Sequence, residues 1–250
     1  MITAKYRNTV EFQVSGEYAL FSDPITRVGG EKWSYHIPTY EAMKGVLQSV
    51  YWKPTFVWVI DAVRVMNPIR TETKGIRPIA YNGGNELSYY TYLKNVRYQV
   101  RAHFEWNPNR PELAQDRNEH KHHNIARRMI ARGGRRDIFL GTRECQGCVE
   151  PCVFGEGEGY YDNLKGEVAY GFMYHGITYA DEALLEEDKG KMTVRFWKPV
   201  MGQSGIVEML RPEKCTEKRH IKEMPIKVFQ TGNFIGAGEF ADEEAVDWTT

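Results

Sequence analysis

The chain has 250 residues, 42% of them hydrophobic, and its 33 basic residues balance its 33 acidic ones. It is long enough to bury a substantial core, in one large domain or two small ones. Its longest apolar run, residues 55–60, is far shorter than the roughly 20 residues that span a bilayer, and its first residues lack the apolar segment of a secretory signal. We therefore expect a globular, cytoplasmic protein without a membrane partner.

The first half of the sequence alternates between strand and helix patterns. Residues 9–14 alternate in polarity and predict a first strand. A helix is predicted to begin at Pro38-Thr39 and to end at Lys53-Pro54, with apolar residues at helical spacing between them. Two strands are predicted at residues 55–66 and 92–106. The polar loop between them is longer than a hairpin needs, so it is a candidate functional element.

A second helix, a fourth strand and a β-rich segment complete the predicted order. The helix covers residues 116–132 before Gly133-Gly134, and the strand covers residues 138–143. The order βαββαβ predicts an α+β fold, a ferredoxin-like (RNA-recognition-type) domain over residues 1–154. Short strand patterns at 168–174, 193–197 and 206–209 predict a small antiparallel β-rich part over residues 155–230. Residues 231–250 are predicted to be an acidic, flexible tail.

Basic residues and histidines are concentrated in the second predicted helix. Residues 116–136 contain seven basic and two acidic residues, a local net charge of about +5. His120, His122 and His123 lie in the same segment. Such a cluster in a neutral chain predicts a surface for a polyanion. The alternative is that the charges form only the solvated side of a helix.

Three cysteines have a spacing that zinc sites also use. Cys145, Cys148 and Cys152 form C-x2-C-x3-C, and Cys215 lies far away in the sequence. A structural zinc site takes four ligands, so Cys215 or a distant histidine would have to complete it. The alternative is that all four are free thiols of a cytosolic protein, and we expect no metal and no cofactor.

Several stretches together resemble one known family. They are residues 16–21 (GEYALF), 29–32 (GGEK), 38–45 (PTYEAMKG), 51–55 (YWKPT), 116–123 (DRNEHKHH) and 133–145 (GGRRDIFLGTREC). The chain resembles Cas family five, in the variant of type I-C CRISPR systems, up to about residue 227. The resemblance implies an RNA-recognition-type fold with a β-rich C-terminal part. It also implies an endoribonuclease that cuts CRISPR repeat RNA and then remains on the guide RNA within the Cascade surveillance complex.

The resemblance also implies site residues and partners. It places the family's catalytic tyrosine, lysine and histidine at Tyr51, Lys121 and His122. His120 stands where the family often has glycine, so His120 and His123 remain alternatives for proton transfer. The implied partners are CRISPR repeat RNA, mature guide RNA and other Cascade subunits, with duplex DNA as a further candidate.

RNA cleavage of this kind needs few groups, because RNA carries its own nucleophile in the 2′-hydroxyl. Histidine titrates near neutral pH, so His122 suits proton transfer, and Lys121 can stabilise the charge that develops on the phosphate. Tyr51 could orient the 2′-hydroxyl, and it suits proton transfer only if cations such as Lys53 depress its pKa. Adjacent helical side chains point about 100° apart. We therefore expect residues 116–121 to be a loop or frayed turn, with the regular helix beginning near His122.

Further residues are candidates for RNA binding, although each has an alternative structural explanation. Contacts to the RNA backbone are predicted for Arg27, Lys32, Lys74, Arg77, His123, Arg128, Arg135 and Arg136. Base stacking is predicted for Trp33, Tyr81 or Tyr89. The leading hypothesis is a metal-independent endoribonuclease that leaves a 2′,3′-cyclic phosphate and a 5′-hydroxyl. Its rivals are a non-catalytic RNA-binding scaffold and a zinc-dependent nucleic-acid module.

Overall fold

The computed structural model of the chain describes residues 7–78, 83–84 and 87–226, without the side chains of residues 28 and 29. Tyr81 and the predicted tail at 231–250 lie outside this part. The described helices are α1 (Tyr40–Val50) and α2 (Glu119–Ala131). The described strands are β1 (Val10–Ala19), β2 (Lys32–Trp33), β3 (Phe56–Val65), β4 (Thr71–Ile76), β5 (Ser88–Trp106), β6 (Ile138–Phe139), β7 (Gln146–Pro151), β8 (Val168–Ala169), β9 (Met173–Thr178), β10 (Lys191–Trp197), β11 (Val200–Met201), β12 (Ile206–Glu208) and β13 (Glu217–Glu223).

Ten of these strands form one mostly antiparallel sheet. Its order is β6-β7-β1-β5-β3-β12-β11-β8, and β2 and β4 also pair with the long strand β5. The pairing of β2 with β5 is parallel. A second sheet has the order β13-β10-β9. The fold is therefore a mixed arrangement of few helices and a large antiparallel sheet, in which β7, β1, β5 and β3 lie side by side and α1 and α2 connect them.

Helix α1 confirms the prediction made from its apolar spacing. Thr39 caps the N-terminus because its side-chain oxygen accepts a hydrogen bond from the Ala42 amide. One face is buried against the sheet, and its apolar members are Tyr40, Met43, Val46, Leu47 and Val50. This packing fixes the position at which the chain leaves the helix.

Helix α2 begins earlier than the sequence suggested. Asn118 caps it by accepting a hydrogen bond from the Lys121 amide, so the helix begins at Glu119, three residues before His122. The prediction that the regular helix begins near His122 is wrong, because this cap orders the first turn. The chain before the cap, Pro111–Asp116, forms a 3₁₀ turn. The helix ends as predicted at Gly133 and Gly134, which have φ values of 83° and 110°.

Two other sequence predictions need correction. The predicted fourth strand at 138–143 is extended only at Ile138–Phe139, because the chain turns sharply at Gly141, where a Cβ would lie 2.0 Å from the Leu20 carbonyl oxygen. The strand beside β1 is instead β7. The predicted loop between β3 and β5 contains β4, which pairs with β5 in a hairpin.

The C-terminal strand patterns at 193–197 and 206–209 are confirmed by β10 and β12, whereas the predicted strand at 168–174 is two separate strands, β8 in the large sheet and β9 in the small one. Strand β12 pairs with β3 and β11 pairs with β12, so this segment extends the large sheet. The division of the chain at residue 154 stays a prediction. Neither α1 nor α2 is long and apolar enough to cross a bilayer, and the same holds for every helix in the described part.

Candidate active site

Tyr51 and His122 meet although 71 positions separate them in the sequence. The Tyr51 hydroxyl lies 2.7 Å from His122 Nδ1. Tyr51 is the first residue after α1, and its amide donates to the Leu47 carbonyl. Its own carbonyl accepts a hydrogen bond of 2.8 Å from Trp58 Nε1. Both main-chain groups of Tyr51 are thus fixed by hydrogen bonds, and its phenol is directed towards α2.

His122 is fully buried among aromatic rings. The rings of Phe56, Phe104 and Trp106 form T-shaped contacts with its imidazole, with centroid distances of 5.3, 6.2 and 5.8 Å. The Tyr51 ring is roughly parallel to it at 6.0 Å. This enclosure holds the imidazole in one orientation.

The hydrogen bonds of His122 define its tautomer. Nε2 lies 2.7 Å from the main-chain carbonyl oxygen of Asp116, and a carbonyl can only accept, so Nε2 carries a proton. In neutral imidazole Nδ1 is then the acceptor, and the Tyr51 hydroxyl donates to it. Both nitrogens of His122 are therefore engaged within the protein.

Asp116 connects His122 to Lys121. Its carboxylate receives Lys121 Nζ at 2.5 Å on Oδ1 and the Thr55 hydroxyl at 2.9 Å on Oδ2. His122 Nε2 lies 3.4 Å from the same Oδ2. The hydrogen bond from Lys121 is the largest of the effects that lower the pKa of Asp116. Lys121 and His122 leave the helix in different directions, and this carboxylate joins them.

Asp116 and Thr55 are functional candidates that we did not single out from the sequence. Asp116 lies five positions before Lys121, a spacing that corresponds to no common motif, and Thr55 lies 61 positions before Asp116. A weak signal existed, since Asp116 is one of only two acidic residues in the basic segment 116–136. An acidic residue surrounded by so many basic residues often forms an ion pair with one of them.

The surroundings of Tyr51 keep its hydroxyl protonated. Burial raises the pKa of the Tyr51 phenol, and the nearby Asp116 carboxylate raises it further, while Arg135 lowers it by a smaller amount. The condition under which Tyr51 would act as a free base, a depressed pKa, is therefore not met. The phenol can instead pass its proton directly to His122.

Of the three clustered histidines, only His122 hydrogen-bonds Tyr51. His123 Nε2 donates to the Thr9 carbonyl at 3.0 Å, and His120 is exposed with its Nε2 3.4 Å from Arg7 Nη2. His123 lines a groove with Arg7, Arg127 and Arg128. This groove contains neither Tyr51 nor Lys121.

The predicted RNA-binding residues occupy several places on the surface. Arg135 and Arg136 are exposed after α2, and the Arg136 amide donates to the Ser49 carbonyl near the end of α1. Arg128 is also exposed, and it lines the groove that contains His123. Arg135 and Arg136 are thus placed beside Tyr51, and Arg128 lies on another side of α2.

The other predicted RNA contacts lie on the sheet and beyond it. Lys32 Nζ sits 4.6 Å from the centre of the Tyr90 ring, and Lys74 Nζ sits 3.5 Å from that of Tyr18. Arg27 lines a depression whose wall is formed partly by α1. Arg77, Trp33 and Tyr89 are exposed. The structure does not bring them together with Tyr51.

The cysteines are not arranged as a metal site. Cys145 is buried and its sulfur accepts a hydrogen bond from the Thr142 hydroxyl, whereas Cys148 is exposed. Burial raises the pKa of the Cys145 thiol, and it raises that of Cys152 to about 11. Across residues 7–78, 83–84 and 87–226, no three side chains of the usual ligand types are grouped to hold a metal ion. The zinc-dependent hypothesis finds no support in these positions.

Known proteins with similar sequences carry CRISPR names. A family profile described as CRISPR-associated protein (Cas_Cas5) matches residues 9–207. The CRISPR pre-crRNA endoribonuclease Cas5d of Thermus thermophilus is 28% identical over 203 residues, which are 78% of this chain and 81% of that protein. The protein of the same name from Mannheimia succiniciproducens is 39% identical over 66 residues, 26% of this chain and only 28% of that protein.

A solved structure is also similar. The crystal structure of a CRISPR-associated protein has a TM-score of 0.70 and 33% identity, over 84% of this chain and 96% of that one. The profile match contains Tyr51, Asp116, Lys121 and His122, so the contacts described above lie within the shared part of the chain.

Proposed function

Because the chain belongs to the Cas5 family of CRISPR-associated proteins, in its type I-C form, we propose that it is an endoribonuclease that cuts CRISPR precursor RNA within the repeat. The contact between Tyr51 and His122 carries this proposal. It joins a proton donor to a proton acceptor at a site where Lys121 adds positive charge. Two relatives named pre-crRNA endoribonuclease support the same activity.

The order of the central strands supports an RNA-binding scaffold. Strands β7, β1, β5 and β3 lie side by side, and α1 and α2 make the two connections. This is the order of a ferredoxin-like unit, which RNA-recognition domains share. We therefore assign the site to the ends of the two helices of such a unit.

The proposed first step is a proton relay through Tyr51. The RNA 2′-hydroxyl passes its proton to the Tyr51 hydroxyl as the Tyr51 proton moves to His122 Nδ1, and the 2′-oxygen attacks the phosphorus. Tyr51 needs no depressed pKa, because it never has to exist as a free phenolate. Asp116 faces Nε2 and stabilises the imidazolium that forms, as the third member of a triad does.

Lys121 supplies the second requirement, stabilisation of charge on the phosphate. Its side chain is 50% exposed, so the ammonium group can meet a non-bridging oxygen of the phosphorane. The 5′-oxygen then leaves and takes a proton from solvent water to become a hydroxyl, and the His122 imidazolium returns its Nδ1 proton through Tyr51 to solvent once the product has left. The products are a 2′,3′-cyclic phosphate and a 5′-hydroxyl, and no step in this scheme requires a metal ion.

One experiment tests the proposal directly. Purified protein is incubated in excess EDTA with a cognate repeat RNA, and in parallel with the same RNA carrying a 2′-deoxy substitution at the scissile nucleotide. We expect the unmodified RNA to be cut and the deoxy RNA to be bound but left intact. Cleavage of the deoxy RNA would contradict the 2′-hydroxyl mechanism.

A non-catalytic role in the same complex is the second candidate. The observation that favours it is the complete burial of His122, whose two nitrogens are both engaged within the protein. In that case Lys121 and the arginines anchor guide RNA, and Tyr51 and His122 belong to the core. Binding of both RNAs without cleavage of either would establish this role.

The proposed partners follow from the same family. We propose that the chain binds repeat RNA, keeps the mature guide RNA after cleavage and contacts other Cascade subunits. Arg135 and Arg136, beside Tyr51, are the RNA-backbone contacts best placed for this purpose. Duplex DNA is a further proposed partner, for which a mobility-shift assay with and without guide RNA is the test.

A further inference from the structure

Asp116 receives several donors at the centre of the candidate site. Lys121 Nζ and the Thr55 hydroxyl each bind one oxygen of its carboxylate. Its main-chain carbonyl accepts from His122 Nε2 at 2.7 Å and from the Asn118 amide at 2.8 Å. We infer that Asp116 is a positioning residue, which holds Lys121 and His122 in the geometry of the cleavage step. The inference rests on the proposed function.

The first step of the argument concerns the tautomer of His122. The Asp116 carbonyl keeps the proton on Nε2, which leaves Nδ1 free to accept from Tyr51. That carbonyl belongs to the last residue of a 3₁₀ turn, Pro111–Asp116. The side chain of the same residue is tied to Thr55, the residue just before β3. The carboxylate therefore keeps its own carbonyl in place, and with it the tautomer.

The second step concerns Lys121. Its amine lies 2.5 Å from the Asp116 carboxylate, on a side chain that is half exposed. A lysine at such a position has many rotamers, and the ion pair selects one that holds the ammonium at the same carboxylate that His122 Nε2 faces at 3.4 Å. The same carboxylate also repels an incoming phosphate and partly neutralises Lys121. Asp116 should therefore favour turnover while contributing nothing to RNA affinity.

This combination predicts an unusual result for Asp116→Asn. The amide keeps the size of the side chain but removes its charge and its strong acceptor for Lys121. We expect single-turnover cleavage to fall by about 100-fold or more, within the range for loss of positioned proton transfer. The dissociation constant of the 2′-deoxy repeat RNA should stay within about twofold of the native value or decrease. Loss of a merely structural residue would not separate binding from turnover in this way.

Glu119→Gln is the matched control. It removes the same charge three residues further along, in the first turn of α2, at a half-buried residue that is not among the hydrogen-bond partners of the Asp116 carboxylate. We expect its cleavage rate and its RNA affinity to stay within about twofold of the native values. Cleavage by Asp116→Asn within about threefold of the native rate would overturn the inference.

Thr55→Val is a second variant, which tests the inference if Asp116→Asn loses RNA binding because its fold is damaged. This variant keeps Asp116 and removes only the hydroxyl that donates to Oδ2. We expect cleavage to fall several-fold with RNA binding retained. Native cleavage by a folded Thr55→Val protein would then overturn the inference.

Failure of the proposed function can be told apart from failure of this inference. If the native protein binds repeat RNA without cutting it, the proposed function is wrong. The side-chain ¹⁵N NMR signals of His122, which report its tautomer, then test whether Asp116 positions the imidazole. A single Nε2–H tautomer in the native protein that becomes a mixture in Asp116→Asn supports positioning by Asp116, and an unchanged tautomer overturns it.

Discussion

The hydroxyl of Tyr51 is the one atom that links the RNA to the buried imidazole in the proposed relay. Tyr51→Phe removes this oxygen and leaves the ring in place. We expect repeat-RNA cleavage to fall by about 100-fold or more, with RNA affinity nearly unchanged, because a phenyl ring cannot pass a proton to His122. Single-turnover cleavage and equilibrium binding measure the two quantities separately.

Tyr40→Phe is the control for this substitution. Tyr40 is the first residue of α1, at the end opposite Tyr51, it is buried as Tyr51 is, and its hydroxyl accepts a hydrogen bond from the Ile60 amide at 3.4 Å. Each variant loses one buried hydrogen bond, about 1 kcal/mol of folding free energy. Only Tyr51→Phe should lose cleavage. Equal losses in both variants would show that the effect comes from stability rather than from the relay.

The proposed catalytic residues could be named from the sequence only through the family resemblance. That resemblance places roles at Tyr51, Lys121 and His122, while the spacing of the residues says nothing about how they meet. The contact between Tyr51 and His122 joins the end of one helix to the start of another, and the fold between them decides it. The same reason explains why Asp116 was missed, since its proposed role arises from donors that converge on it in space.

The N-terminal cap of α2 provides a test at the level of the helix. Asn118 accepts a hydrogen bond from the Lys121 amide, so it orders the turn that carries both Lys121 and His122. Asn118→Ala should lower the free energy of unfolding by about 1 kcal/mol and should reduce RNA cleavage at least several-fold. Denaturant titration and the cleavage assay measure the two effects.

Thr39→Ala is the matched variant for this prediction. Thr39 caps α1 in the same way, through the Ala42 amide at 3.1 Å, but it lies at the opposite end of α1 from Tyr51. Its loss should cost a similar free energy of unfolding and leave cleavage nearly unchanged. If both variants lose the same amount of cleavage, the order of the first turn of α2 is not what matters.

Strand β9 contains a histidine that should make the stability of the protein depend on pH. His175 is fully buried, and burial lowers its pKa from 6.5 to about 4. The unfolded chain therefore binds more protons than the folded one between these values, so stability falls as the pH drops from about 6.5 to about 4. The loss should reach about 2 kcal/mol at pH 5.

His175→Gln identifies how much of this loss belongs to His175. Urea denaturation at pH 7 and pH 5 should show a smaller difference in this variant than in the native protein. His36→Gln is the control, because His36 is exposed and its substitution should leave the difference unchanged. A native difference that persists in full in His175→Gln would assign the effect to other groups.

Elements that are set by a short stretch of sequence could be predicted. Strand neighbours that are set by pairing between residues far apart in the chain could not. The burial pattern and cap of α1 lie within twelve residues, so its start and its buried face followed from the sequence, although it ends at Val50 rather than at the predicted Lys53-Pro54. The choice of β7 rather than β6 as the neighbour of β1 depends on the turn at Gly141, which must pass close to the Leu20 carbonyl. Likewise, the pairing of β12 with β3 joins residues more than 140 positions apart.

At the scale of the whole molecule, the zero net charge conceals an uneven distribution. The segment after Asn118 presents exposed Arg127, Arg128, Arg135 and Arg136, whereas acidic residues gather near Glu186. RNA binding at a basic surface releases counterions, so its affinity falls as the salt concentration rises. The slope of log affinity against log salt is proportional to the number of phosphates that the protein neutralises. The salt dependence therefore reports which arginines lie on the RNA path.

Arg135 and Arg136 are the arginines that we expect to contribute to the salt dependence of binding at the candidate active site. They lie beside Tyr51, because the Arg136 amide is anchored to the Ser49 carbonyl at 3.1 Å and the Arg135 charge acts on the Tyr51 phenol. Replacing both with alanine should weaken binding of repeat RNA about tenfold or more. It should also reduce the slope of log affinity against log salt by about 0.7 for each phosphate that the variant no longer neutralises.

The control removes the same charge from β13, where Arg219 and Lys222 are exposed. That strand is one edge of the small sheet, and β9, which contacts α1, is the opposite edge. Its double alanine variant should leave both the affinity and the salt slope unchanged, because no RNA phosphate passes there in the proposed path. An equal loss of slope in the two variants would mean that RNA binds through long-range charge alone, and that the arginines beside Tyr51 do not direct the scissile phosphate to it.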